Sequence, residues 1–294
     1  MDWLIFIRLW LPWILAALLV SVLVAGSRRS GPHKPTAASR VDSVIAVAAL
    51  ALVALWMGAM AAHRGLSDAL WEARFGYPIM CGVVAVVVLL VSYRGASPGA
   101  TVDLTPRHVW TFAPRSAFIG LGAALTLMVV LALTAGGVSE PDEAGAYRVF
   151  NVSFGEATTR VEIYGWHYSV PALALALFMV AGLYVYMRRI ARPAWGSDRD
   201  ADQTARFGRG RNAVLIASGA LLLHLGFVFQ SLSATSSVRV EIEGDTNLST
   251  GTTFAALAEA LAFMGLAATT AGLACWMYVA VRGMLVTSRP AAQP

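Results

Sequence analysis

Seven apolar blocks divide the chain, at about residues 3–26, 42–62, 77–93, 116–136, 168–187, 212–233 and 254–281. Crossing hydrocarbon takes about 20 apolar residues in helical form, because a helix pairs every backbone N–H and C=O that lipid would leave unsatisfied. The blocks predict an all-α polytopic membrane protein, a seven-transmembrane-helix bundle forming one integral membrane domain over residues 1–294. The chain is 57% hydrophobic and 13% charged, whereas soluble domains carry about 25% charged residues. That excludes a soluble globular enzyme. The net charge of +5 does not point to nucleic acid here, because in a membrane chain the basic residues must first be sorted by side.

Sorted that way, the segments after the first, third, fifth and seventh blocks hold 16 of the 22 Lys and Arg residues and the opposite segments hold five. The positive-inside rule then puts the N-terminus outside and the C-terminus in the cytoplasm. Acidic residues divide the other way, eleven outside against four inside. The outer face is therefore expected to be acidic and open to a basic or cationic partner, and the inner arginines to anionic headgroups. An arginine count of 21 against one lysine reads as the inner membrane of a high-GC bacterium. The first block has its basic residues, Arg28 and Arg29, after the apolar run and has no small-x-small cleavage site, so it is expected to remain as a helix.

The outer loops, 137–167 and 234–253, contain a repeat. Arg160-Val-Glu-Ile-Tyr-Gly165 recurs as Arg239-Val-Glu-Ile-Glu-Gly244, and Tyr147-Arg-Val-Phe-Asn-Val-Ser-Phe154 lies upstream. Their alternation of polar and apolar residues is the period of a strand. Both copies are expected in one small extracytoplasmic β-cap, and their flanking helices resemble a parallel duplication of the fourth and fifth helices as the sixth and seventh.

Few polar residues fall within the blocks. His224 reads as an ionisable side chain near mid-helix, about 20 Å from Arg211 and isolated at that depth. A second candidate is a layer near the outer interface. Met57, Met60 and His63 follow i, i+3, i+6 spacing, and His167 and Glu259 come out at a similar depth. Thioether plus imidazole is a ligand set suited to copper(I). The two cysteines, Cys81 and Cys275, both fall inside apolar blocks, which makes inert thiols of them. A retinal Schiff base is excluded because the only lysine is Lys34, outside the last helix.

Dedicated catalytic chemistry is thus sparse. The leading expectation is a non-catalytic subunit, scaffold or assembly partner of a membrane complex, with the lipid bilayer and other membrane proteins as partners. The alternatives are a transporter or channel using the helix repeat and His224, and a metal-handling or redox enzyme using the Met/His layer. The sequence names no cofactor.

Overall fold

The computed structural model describes residues 3–28, 37–62, 71–93, 108–154, 157–191, 199–242 and 248–285. Among these lie seven long helices: α1 (Trp3–Arg28), α2 (Ala37–Ala62), α3 (Tyr77–Ser92), α4 (Arg115–Gly137), α5 (Trp166–Ile190), α6 (Arg199–Ser236) and α7 (Ala258–Leu285). Each apolar block is one helix. In five of them, α2, α4, α5, α6 and α7, the apolar stretch is long enough to cross a membrane, while α1 and α3 contain shorter apolar runs. The protein is a mostly helical, multi-pass membrane bundle.

The helix α6 is the axis of the bundle. Of its most apolar stretch 83% is buried, against 22% for α4, and it packs against α2, α3, α4, α5 and α7. Its 38 residues make a rod about 57 Å long at 1.5 Å per residue, and 13 of them, 199–211, precede the predicted block. That extension is helical although polar. Arg206 makes an i, i+4 ion pair with Asp202 at 2.8 Å and donates to the Ile190 carbonyl at 2.5 Å, which anchors it on the end of α5.

The pairing of α6 with α7 rests on glycine. A methyl group on Gly226 would lie 2.2 Å from Thr269 Oγ1, and one on Gly272 would lie 2.8 Å from the Gly219 carbonyl oxygen. Gly219 and Gly226 on α6 thus meet Gly272 and Gly265 on α7 at seven-residue intervals, close enough for backbone to touch backbone. Trp276, fully buried, covers Gly219 and donates its indole N–H to the Ile216 carbonyl at 2.8 Å. Outward, α4 presents Ile119, Val130 and Leu133 and α5 presents Leu177 and Phe178. Between separate helices in water such faces would be liabilities; in hydrocarbon they are the solvated surface.

Two small antiparallel sheets lie between helices at one end. Strands β1 (Glu140–Pro141), β2 (Tyr147–Phe154) and β3 (Ala157–Glu162) form the first in the order β1-β2-β3, with Val149 opposite Glu162 and Asn151 opposite Arg160. Strands β4 (Arg239–Ile242) and β5 (Leu248–Gly251) form the second. Both Arg-Val-Glu-Ile copies contain strand, as the alternation predicts. They do not share one sheet. The first copy closes the last strand before α5 and the second opens the first strand after α6, so the copies occupy different topological places. Alternation specifies an extended backbone, whereas partner choice depends on which neighbour the turn returns to. The loops still meet: Phe150 stacks edge-on against Phe254 at 5.7 Å, and Thr235 Oγ1 donates to the Glu162 carbonyl at 3.0 Å.

Candidate functional site

Beneath the first sheet, the segment before α3, the ends of β2 and β3 and the start of α5 bring charged side chains together. Arg74 is at the centre, only 8% exposed. Its guanidinium pairs with Glu162 at 2.8 Å, donates to the Trp71 carbonyl at 2.8 Å and to the Tyr168 hydroxyl at 3.3 Å, and lies 4.3 Å over the Trp71 ring and 4.6 Å from the Phe75 and Tyr168 rings. A cation this buried is tolerable only when paired and hydrogen-bonded. Glu162 also accepts from the Tyr168 hydroxyl and from the Trp71 indole N–H at 3.2 Å.

A second arginine extends the network towards solvent. Arg148 pairs with Glu72 and with Asp142, the latter at 2.6 Å, and lies 4.0 Å from Glu162. His167 Nε2 donates to Glu72 at 3.1 Å. Burial pulls the Glu162 carboxyl up, but the Tyr168 hydroxyl and Arg74 outweigh it and hold it below its ordinary value. Glu72 is likewise held down against burial by His167 and Arg148, and Asp142 by the Ala146 backbone N–H and by Arg148.

His224 lies directly under this network and is fully buried. Its Nδ1 is 2.7 Å from the Phe75 carbonyl oxygen and its Nε2 is 3.2 Å from the Tyr164 hydroxyl. A carbonyl can only accept, so Nδ1 carries the proton, and in the neutral ring Nε2 accepts from Tyr164. Burial pushes the Tyr164 phenol up, so it stays a donor. Phe75 packs on both Tyr164 and Tyr168 at 5.0 Å between centroids. The histidine that the sequence reads as isolated in depth has two hydrogen-bond partners, because two residues from inter-helix segments dip into the bundle and occupy both ring nitrogens. Helical depth alone counts only side chains on helices.

Four of the five residues of the proposed Met/His layer are described. Met57 is buried and Met60 half-buried in α2. His167 is engaged with Glu72, Glu259 is exposed at the start of α7, and His63 lies outside the described residues. Among the described residues, no group of three or more His, Cys, Asp or Glu side chains is placed to hold a metal ion.

At the opposite end of the bundle, sequence reading passed over Asp42. It stands at the start of the second block, where a carboxylate looks like a boundary. In the structure it is 3% exposed, accepts from Asn212 Nδ2 at 2.9 Å, and lines a cavity of about 30 Å³ with Tyr93, Tyr186 and Arg209. The neighbouring Ser43 donates to the Ala280 carbonyl at 2.5 Å, so α2 is tied to both α6 and α7. The spacing that could have revealed it is Asp42 beside Ser43 ahead of an uninterrupted apolar run. Comparison of the chain with protein-family models, with curated proteins and with solved structures found no match.

Proposed function

We propose that the protein is a non-catalytic subunit or assembly partner of a membrane complex, spanning the bilayer seven times with its N-terminus outside and its strand-bearing loops capping the outer end. The observation that carries this reading is the internal pairing of the ionisable site: Arg74 and Arg148 are matched by Glu162, Glu72 and Asp142, His167 is hydrogen-bonded to Glu72, and His224 has both nitrogens engaged. Such a network positions the loops rigidly on the helices, as a docking platform requires. The half-exposed rim of Glu72, Glu162 and His167 offers a polar surface to an extracytoplasmic partner segment with basic character. The test is in-membrane cross-linking from a photoreactive residue placed at Tyr147, 49% exposed on the first sheet, followed by mass spectrometry. A single stoichiometric partner supports the reading. Recovery of the chain alone, fully folded and uncross-linked, overturns it.

A transporter is the second reading, and Asp42 is what favours it. A buried carboxylate within a membrane helix beside a cavity is a starting point for an ion or proton pathway. Ion-driven uptake by proteoliposomes, lost in Asp42→Asn, would select this reading over the first.

A further inference from the structure

Arg211 of α6 and Arg282 of α7 converge on one tyrosine. Their guanidinium carbons lie 5.5 and 5.8 Å from the centre of the Tyr278 ring, and Arg282 donates to the Tyr278 hydroxyl at 2.9 Å. Arg211 donates to Asn212 Oδ1 at 3.3 Å, but its Nε is buried without a hydrogen-bond partner. Among the described residues, neither guanidinium forms an ion pair with a carboxylate. Two like charges beside one tyrosine repel, and an unpaired buried N–H is costly. This differs from the outer arginines Arg74 and Arg148, which are each matched by acids.

We propose that Arg211, Arg282 and Tyr278 form a binding site for the phosphate of an anionic phospholipid. Guanidinium forks match phosphate oxygens, and a shared anion between them removes their mutual repulsion. The location selects a lipid rather than a soluble ligand. Arg282 ends the apolar span of α7, and the same end carries exposed Trp110 packed on Phe118 and Arg188 5.8 Å over half-exposed Tyr184. Aromatic and basic side chains in one belt mark the headgroup level, and the leaflet facing the basic end of a membrane protein is the anionic one.

The experiment uses the full chain in phosphatidylcholine nanodiscs containing a minor fraction of phosphatidylglycerol, with retained lipid counted by native mass spectrometry. The wild type is expected to retain phosphatidylglycerol in preference to phosphatidylcholine. Arg282→Gln should weaken retention about fivefold and Arg211→Gln with Arg282→Gln about thirtyfold, whereas Arg160→Gln, exposed on β3 at the opposite end, leaves it unchanged. Should the double variant fail to fold, Arg282→Gln decides, since it alters only the last turn of α7. Equal retention by wild type and Arg282→Gln overturns the site. Displacement of the lipid by inorganic phosphate overturns its assignment to a lipid and makes it a site for a soluble phosphate compound.

Discussion

His224 Nδ1 donates to the carbonyl oxygen of Phe75, 149 positions earlier in the chain, across 2.7 Å, and this bond pins the turn before α3 to the central helix. The turn carries Arg74 on one side of Phe75 and leads into α3 on the other. One buried ring thereby couples the packing of the bundle to the charged network above it.

Removing that ring should be expensive. His224→Ala strands both the Phe75 carbonyl and the Tyr164 hydroxyl in a fully buried site and leaves a cavity, so a loss of about 3 kcal/mol is expected. Thermal unfolding in detergent, followed by tryptophan fluorescence, checks this. A melting temperature equal to that of the wild type would mean that the bond contributes nothing to stability.

The glycine seam gives a contrast between two alanine substitutions. At Gly226 the new methyl would meet Thr269 Oγ1 at 2.2 Å, whereas at Gly122 on α4 nothing lies within 4 Å. Gly226→Ala should destabilise by about 1–3 kcal/mol through overpacking. Gly122→Ala should be neutral or stabilise by up to about 1 kcal/mol through helix propensity. Paired melting curves decide, and equal shifts would remove the close α6–α7 approach as an explanation of stability.

The carboxylates of the network predict an acid-side loss. Glu162, Glu72 and Asp142 are all held below their ordinary values in the folded protein. A depressed folded pKa contributes stability that is fully present above the unfolded value, 4.5 for Glu162, and is lost as pH falls from there through the folded value. The protection factors of β2 and β3 amides, corrected for intrinsic exchange, should therefore fall below that pH in the wild type. In Glu162→Gln the dependence should be weaker. Protection in β2 and β3 that does not change on acidification would refute the coupling.

Topology is checked by labelling single cysteines in a background lacking Cys81 and Cys275. A cysteine at Ala146, in the turn between β1 and β2, should react with an impermeant reagent from outside, and one at Ala201, in the polar start of α6, only after permeabilisation. The reverse pattern would invert the orientation.

The positions of the seven long helices among the described residues were legible in the chain, because hydrocarbon demands contiguous apolar runs, but the polar 13-residue start of α6 was not. Strands β2, β3 and β4 were legible too, since alternation has a period of two, whereas the short β1 and β5 carry no such signal and were not. Tertiary structure alone decided which strand paired with which, placing Arg160 opposite Asn151 and Arg239 opposite Gly251 in two separate sheets. It also decided the surroundings of His224. The Phe75 carbonyl and the Tyr164 hydroxyl belong to segments outside the helices, and a hydrogen bond to a backbone carbonyl leaves no mark on residue identity. The closure of Arg74 and Arg148 on Glu162, Glu72 and Asp142 was likewise hidden. Charge counting by side records the sign of each outer segment but not the distances between its residues, and only those distances convert an acidic face into a paired network.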